Sequence, residues 1–159
     1  MGLTANWSQE IRERWGIKGL ENTDSLPEVV LWTTRCSRTK NGVRCGTPRE
    51  LYTSSVNRYF YRRMEEQGLR YGVLSDKYGL HFDDEELPYY DIHPSNLSQH
   101  DKEWLGQLIR DKALVQGFTQ IIFYSPSPLM SVPYFEMLHH SGLDVFYTTT
   151  LDFSRGPIH

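Results

Sequence analysis

Four short apolar runs, separated by segments with helical periodicity, constrain the fold of this chain more than any other feature. They are predicted strands, at residues 28–34 (EVVLWTT), 70–74, 119–124 and 144–149. The first run is apolar almost throughout, as is typical of a strand buried on both faces of a parallel sheet. Alternating strands and helices predict an α/β fold in three layers: a mostly parallel sheet of four or slightly more strands, with helices on both faces.

The helices between these strands have recognisable start and stop residues. Thr47-Pro48-Arg49-Glu50 places a capping hydroxyl, a proline at the first helical position and a glutamate at the third. We therefore predict a helix from Thr47 to Gly68, where glycine allows the chain to leave the helix. Two further helices are predicted between Ser98 and Gly117 and between Ser131 and Gly142.

An additional helix is predicted at the N-terminus, over residues 7–15, where Trp7, Ile11 and Trp15 share one face. Residues 16–26 have no such periodicity and are interpreted as a linker. The expected organisation is an N-terminal helix and linker (residues 1–26) followed by a single α/β domain (residues 27–159).

The composition is that of a globular protein, with 38% apolar and 23% charged residues. No apolar run is long enough to span a membrane, and the N-terminus lacks the apolar region of a signal peptide. Two cysteines are too few for a secreted disulfide scaffold, so we expect a cytoplasmic protein. A net charge of −3 argues against overall electrostatic attraction to nucleic acid, so any contact with tRNA or DNA needs a local basic patch.

All four predicted strands pass from apolar to hydroxyl-bearing residues at their carboxyl ends. The four ends read Thr33-Thr34-Arg35-Cys36-Ser37, Ser75-Asp76-Lys77, Ser125-Pro126-Ser127 and Thr148-Thr149-Thr150. Ligands of parallel sheets bind beyond the carboxyl ends of the strands, so these residues predict a site along one edge of the sheet. We expect the first two ends to carry the chemistry and the last two to form walls.

The loop after the first strand is strongly basic. It holds five cations and no acid, namely Arg35, Arg38, Lys40, Arg44 and Arg49. Cations beside the free amides of a helix start at Thr47 form an anion site for a phosphate or a carboxylate. It is not a phosphate-binding P-loop, because the glycine spacing and the Gly-Lys-Ser/Thr ending are absent. The alternative is a solvated basic loop.

Cys36 and Cys45 lie nine residues apart with no CxxC pattern and no histidine between them, which disfavours a zinc site. Cys36 follows Arg35 and precedes Arg38, so a lowered thiol pKa would make it a nucleophile. The alternative is that Cys36 is a small buried residue. We expect neither a metal nor a cofactor.

Two further segments carry reactive side chains. Residues 75–81 (SDKYGLH) place a hydroxyl, a carboxylate, an amine, a phenol and an imidazole around Gly79, which suggests a tight turn. Such a set can supply acid–base chemistry, or it can be a solvent-exposed turn. Residues 88–91 (PYYD) follow a four-acid run, and prolines stiffen this element, so that Asp91 with His93 is expected to fold back over the strand ends.

These segments define the predicted site. The residues assigned to catalysis are Ser37, Lys40, Ser75, Asp76, Lys77 and Asp91. The residues assigned to ligand binding are Cys36, Arg38, Thr47, Tyr52, Tyr78, His81, Tyr89 and Ser125. The expected function is an enzyme, of a transferase or glycosidase-like kind, that acts on a nucleotide, a nucleobase or a base of tRNA or DNA. The alternative is a non-catalytic module that binds a nucleotide or nucleic acid for a larger modification enzyme.

The motifs of residues 36–40 (CSxxK), 48–54 (PxELYxS), 74–80 (LSxKYGL) and 88–91 (PYYD) together resemble a family of uncharacterised small α/β proteins. The resemblance covers about residues 28–150. This chain has Asp76 where that family often has alanine, and it has one extra tyrosine in the last motif. The first motif is also similar to the Pro-Cys-Ser-x-x-Lys-Pro-Tyr element of archaeosine synthase, which modifies a 7-deazaguanine base in tRNA. That similarity implies roles for Cys36, Ser37 and Lys40, although Arg35 and Asn41-Gly42 replace the flanking residues.

Overall fold

A six-stranded sheet organises the fold, and the structure, a computed structural model, describes residues 2–20, 29–37 and 44–151. The strands are β1 (Lys18–Gly19), β2 (Leu31–Arg35), β3 (Cys45–Gly46), β4 (Tyr71–Ser75), β5 (Gly79–Phe82), β6 (Leu87–Pro88), β7 (Gln120–Tyr124) and β8 (Asp144–Thr148). The helices are α1 (Trp7–Trp15), α2 (Pro48–Leu51), α3 (Ser55–Gln67), α4 (Gln99–Val115) and α5 (Val132–Ser141).

The order of strands in the main sheet is β1-β8-β7-β2-β4-β5. Every neighbouring pair is parallel except β4 and β5, which are antiparallel. Strand β2 lies in the interior of the sheet, with Trp32 opposite Tyr71 on one side and Ile122 on the other. Its position explains the unbroken apolar run, because both faces of β2 are covered. The predicted α/β fold with a mostly parallel sheet is confirmed.

Helices surround the sheet and an N-terminal helix is present, as predicted. Phe135 of α5 lies at the centre of the aromatic core: it stacks on Trp15 of α1 with ring centroids 5.6 Å apart. It also meets the rings of Phe123 and Tyr147 edge-on, at 5.2 and 5.9 Å. Edge-to-face contacts of this kind stabilise an aromatic core beyond the area they bury. No helix in the described ranges is long and apolar enough to cross a membrane.

The prediction of one continuous helix from Thr47 to Gly68 was wrong. The capping box at Thr47 forms, but α2 is a single turn that ends at Leu51. Tyr52 is extended, with φ −104° and ψ 105°, and its side chain is fully buried. Ser54 then caps α3 by accepting a hydrogen bond from the amide of Asn57 at 3.2 Å. Each of the two helices buries an apolar face, so apolar residues occur at helical spacing in both, and this spacing does not show the break between them.

The segment after β4 also differs from the expectation of a loop leading to a helix. Residues 76–78 form a tight turn, and β5 then returns antiparallel to β4, with Ser75 opposite Gly79. Gly79 has a φ of +74°, and a Cβ there would lie 2.8 Å from the carbonyl oxygen of Leu105, so glycine is required. The turn at Gly79 was predicted. Strand β5 was not, because a strand of four residues is too short to show a recognisable alternation of apolar and polar residues.

Two short pairings were not predicted. Strand β1, within the segment interpreted as a linker, pairs with β8 at the edge of the main sheet. Strands β3 and β6 form a separate two-stranded antiparallel sheet, which joins the basic loop to the Pro-Tyr-Tyr-Asp element. The amide of Tyr89 extends this connection by donating to the carbonyl oxygen of Arg44 at 2.9 Å.

Candidate functional site

The parallel order brings the carboxyl ends of β2, β4, β7 and β8 to one edge of the sheet. The amide of Cys36 donates to the carbonyl oxygen of Leu74 at 2.9 Å, so the pairing of β2 and β4 continues past Arg35. The amide of Ser125 donates to the carbonyl oxygen of Thr148 at 3.0 Å at the end of β7. The residues that follow the four strands therefore lie side by side.

Cys36, Asp76 and Tyr134 meet at this edge, and we call them the thiol cluster. The Cys36 thiol donates to Oδ2 of Asp76 at 3.3 Å, and the Tyr134 hydroxyl donates to the same oxygen at 3.3 Å. The sulfur and the Tyr134 hydroxyl oxygen are 3.4 Å apart. Asp76 is only 4% exposed. Two donors thus converge on one buried carboxylate oxygen, and hydrogen bonds of this kind favour the charged form of a carboxyl group.

The thiol and the phenol of this cluster are both held neutral. Burial, and then the charge of Asp76, raise the pKa of Cys36 to about 11. Burial also raises the pKa of Tyr134 far above its ordinary value. Forming a second buried anion beside a carboxylate is unfavourable, so both groups keep their protons at neutral pH. A thiolate nucleophile at Cys36, one of the two sequence-based interpretations, is not favoured by this environment.

We expect Cys36 to resist alkylation in the folded protein. With a pKa of about 11, on the order of one thiol in a few thousand is ionised at pH 7.5. Iodoacetamide at pH 7.5, followed by mass spectrometry, should label the exposed Cys45 within minutes and label Cys36 only after unfolding. A Cys45→Ser variant serves as the control, because it should remain unlabelled while folded. Rapid native labelling of Cys36 would show that its thiol is activated.

A second group of polar side chains lies beside the thiol cluster, and we call Tyr52, Ser75, His81 and Tyr90 the tyrosine network. The Ser75 hydroxyl donates to the Tyr90 hydroxyl oxygen at 2.8 Å. The hydroxyls of Tyr90 and Tyr52 are hydrogen-bonded at 3.2 Å, and Tyr52 is bonded in turn to Nδ1 of His81 at 3.2 Å. All four residues are buried. The network therefore runs continuously from the strand edge into the core.

The tyrosine network is uncharged. Burial raises the pKa values of Tyr52 and Tyr90, and burial lowers the pKa of His81. Nε2 of His81 lies 2.7 Å from the carbonyl oxygen of Glu85, which can only accept, so Nε2 carries the proton and Nδ1 accepts from Tyr52. A side-chain interaction with Tyr90 opposes the rise in the pKa of Cys36, so the network adjoins the thiol cluster.

The residues predicted to form the site fall into several environments. Five are buried in the two groups just described: Cys36, Tyr52, Ser75, Asp76 and His81. Ser37 is half-buried next to Cys36, and Tyr78 is half-buried with its hydroxyl donating to the carbonyl oxygen of Pro88 at 2.8 Å. Ser125 is buried as part of the wall, hydrogen-bonded to Ser131 at 2.8 Å. Lys77, Tyr89 and Asp91 are exposed. Arg38 and Lys40 lie outside the described residues.

The helix start at Thr47 already holds a carboxylate. Oε1 of Glu50 accepts hydrogen bonds from the Thr47 amide at 2.9 Å and from the Thr47 hydroxyl at 3.1 Å. Arg49, on the same turn, forms an ion pair with Glu65 of α3. An anion bound at this end of α2 would have to displace Glu50, so the described part of the loop favours an anion position elsewhere.

Two residues of the site were missed by sequence reasoning. Tyr90 is the central member of the tyrosine network, whereas its neighbours Tyr89 and Asp91 are the ones that were selected. Tyr134 follows Ser131 and Pro133 in the first turn of α5 and completes the thiol cluster. The sequence indicates these two tyrosines only by their position: each closely follows a proline and lies near a segment assigned to the site.

The chemistry available at this edge is that of a buried carboxylate with neutral hydrogen-bond partners. Within residues 2–20, 29–37 and 44–151, no three His, Cys, Asp or Glu side chains are grouped closely enough to hold a metal ion. A carboxylate of this kind can accept a proton, hold an N–H group of a ligand or stabilise a positive charge that develops during a reaction.

Comparison with known proteins identifies a family without an assigned activity. No curated protein matches the chain, and no solved structure matches it. A family model described as a family of unknown function (DUF6884) matches residues 32–136, about two thirds of the chain. The matched range includes the whole of the thiol cluster and the tyrosine network. The chain belongs to this DUF6884 family of unknown function.

Proposed function

We propose that this protein is an enzyme that acts on a nucleotide or a nucleobase at the carboxyl edge of the sheet, with Asp76 as the reactive carboxylate. The observation that carries the proposal is the convergence of the Cys36 thiol and the Tyr134 hydroxyl on one oxygen of Asp76. Burial keeps the protons on both donors, so any negative charge of the thiol cluster is carried by Asp76.

Cleavage or exchange of an N-glycosidic bond is the reaction class that fits such a group. Positive charge develops on the sugar ring as the bond to the base breaks, and a fixed carboxylate stabilises that charge in a site of low dielectric. The departing base takes up a proton, which the same carboxylate can transfer from an attacking water or an incoming base. The tyrosine network keeps the edge rigid, because each of its hydroxyls is held by a neighbour.

The motif arrangement supports a single ligand site. Each of the four motifs contributes to the two adjoining groups: the first supplies Cys36, the second Tyr52, the third Ser75 and Asp76, and the fourth Tyr90. The similarity of the first motif to archaeosine synthase supports a base of tRNA as one substrate to test. Two free cysteines, one of them exposed, are suited to the reducing conditions of the cytoplasm, where we place the reaction.

A non-catalytic binding module is the second candidate, and one observation favours it. The Ser75 hydroxyl donates to Tyr90 and accepts from the amides of Lys77 and Tyr78, at 3.2 and 2.9 Å, so its hydrogen-bonding capacity is used within the protein. A network of this kind can serve stability alone.

A turnover assay separates the two functions. The purified protein is incubated with nucleosides, nucleotides and tRNA, and the products are analysed by liquid chromatography and mass spectrometry for a released or exchanged base. We expect a free base to appear with wild-type protein, and Lys40→Ala to reduce ligand binding without lowering Tm. A ligand that binds tightly and is recovered unchanged under all conditions would establish the binding module.

A further inference from the structure

Basic residues are concentrated in one part of the chain. Residues 29–64 hold eight of the 17 Lys and Arg residues but only one of the 20 Asp and Glu residues, Glu50. The remainder of the chain is therefore strongly acidic, since the net charge of the whole is −3. Where such positive charge is clustered in space, it attracts a polyanion locally even when the total charge is negative.

The exposed side of α3 presents part of this positive charge together with an aromatic ring. We call Arg58, Tyr59 and Arg62 the α3 surface. Arg58 is exposed, Tyr59 is 36% exposed, and the side chain of Arg62 is 67% exposed. Arg58 and Arg62 are four residues apart, so they lie on the same side of the helix. The guanidinium carbon of Arg62 is 5.5 Å from the centre of the Tyr59 ring.

The α3 surface is continuous with the candidate site. Asn57, next to Arg58 in the chain, donates through Nδ2 to the carbonyl oxygen of Arg35 at 3.0 Å, at the carboxyl end of β2. The ring of Tyr59 lies 6.4 Å from that of Tyr124, the last residue of β7. The α3 surface therefore adjoins the carboxyl ends of β2 and β7.

The carboxyl end of β2 is also joined to the turn after β7, on the same edge of the sheet. The Arg35 guanidinium donates to the carbonyl oxygen of Met130 at 2.7 Å, and the side chains of Leu129 and Met130 are exposed there. A third arginine and an apolar surface thus adjoin the α3 surface on the side of the strand ends.

Little negative charge competes for these arginines. Glu66 is 3.5 Å from Arg62, but both side chains are well exposed, and exposed pairs of this kind are weak and exchange readily. No acid occurs between Leu51 and Met64 in the sequence. A phosphate group can therefore replace Glu66 as the partner of Arg62 at small cost.

We propose that the α3 surface binds an unpaired nucleic-acid strand, with phosphates at Arg58, Arg62 and Arg35 and a base stacked on Tyr59. Alternating cations and an exposed aromatic ring are the features that bind single strands without sequence preference. An acidic peptide would satisfy the arginines but has no planar base for the ring. This inference rests on the proposed function and narrows its substrate to a nucleotide within a polynucleotide, whose base enters the strand-edge site unpaired.

Fluorescence anisotropy with labelled 20-nucleotide DNA and RNA tests the proposal, at NaCl concentrations from 50 to 200 mM. Each oligonucleotide is measured unpaired and as a duplex, and we expect the unpaired form to bind more tightly. Arg58→Ala/Arg62→Ala should weaken binding more than tenfold at 100 mM salt. It should also reduce the slope of log Kd against log salt by about 1.4, because each lost phosphate contact on a single strand contributes about 0.7.

A second variant and a matched control complete the experiment. Tyr59→Leu should weaken binding about tenfold and leave the salt slope unchanged, because stacking releases no counterions. Arg12→Ala/Lys18→Ala removes the same charge from exposed positions on α1 and β1 and should leave Kd within twofold. Equal weakening by the control pair would overturn the proposal, as would tight binding of poly-glutamate with no binding of any oligonucleotide at 50 mM salt. Binding is measured without turnover, so a protein that binds the strand but releases no base would contradict the proposed function alone.

Discussion

Replacing Asp76 with asparagine should reduce turnover at least about a thousandfold, equivalent to about 4 kcal/mol of transition-state stabilisation. Asparagine keeps the shape of the side chain but cannot accept a proton or neutralise a developing positive charge. The Cys36 thiol and the Tyr134 hydroxyl can still donate to the remaining side-chain oxygen, so the fold should be retained. The measurement is kcat for release of a base from the substrate that the turnover assay identifies, together with Tm.

Two further substitutions decide how this result is interpreted. Asp111→Asn, at an exposed position on α4, is the control for a lost carboxylate and should not change kcat. Asp91→Asn tests the other carboxylate selected from the sequence, which the fold leaves exposed. Full activity of Asp76→Asn with loss of activity in Asp91→Asn would move the reaction to the Pro-Tyr-Tyr-Asp element. Full activity in both variants would contradict a catalytic role for either carboxylate.

Replacing Gly106 with alanine should destabilise the protein by about 2–3 kcal/mol. Helices α4 and α5 approach so closely that a Cβ at position 106 would lie 2.6 Å from Cβ of His140 and 2.7 Å from the carbonyl oxygen of Met137. A backbone oxygen cannot rotate away, so the helices must separate, and this overpacking outweighs the gain of about 1 kcal/mol in helix propensity. Thermal and urea unfolding should show a Tm lower by roughly 5–10 °C.

Gln107→Ala is the matched control for this substitution. Residue 107 is adjacent in α4 but exposed, so the change in the free energy of unfolding should be within about 0.5 kcal/mol. If Gly106→Ala were as stable as the wild-type protein, the close packing of α4 against α5 would be contradicted. The two variants together therefore measure the helix–helix approach and separate it from helix propensity.

Much of the architecture follows from local sequence patterns. The apolar run that becomes β2 identified an interior parallel strand, because only a strand covered on both faces tolerates so few polar residues. Ser98 marked the start of α4 correctly, and its capping box with Asp101 depends only on hydrogen bonds between residues three apart in the chain. The same local chemistry also correctly placed a capping box at Thr47, although it did not show that α2 stops after one turn.

The composition of the site depended on long-range contacts. Tyr52 leaves the helical path because its hydroxyl is bound by Tyr90 and His81, which lie 38 and 29 residues away in the sequence. The choice between Tyr89 and Tyr90 was decided by the antiparallel pairing of β6 with β3, which turns Tyr90 inward and leaves Tyr89 39% exposed. Neither the hydrogen bonds of Tyr52 nor the pairing of β3 with β6 produces a periodic residue pattern that can be recognised in a single sequence.

Local sequence was thus sufficient for the type of most elements, for the parallel sheet and for the edge at which polar residues collect. These properties depend on burial and on hydrogen bonds between near neighbours, which residue patterns express directly. Tertiary structure alone decided that Tyr134 and Tyr90 join Cys36, that Asp76 is buried while Asp91 is exposed, and that the Cys36 thiol is neutral. Burial and electrostatic environment are set by all the elements that meet at a point, and α5 reaches Cys36 from 98 residues away in the chain.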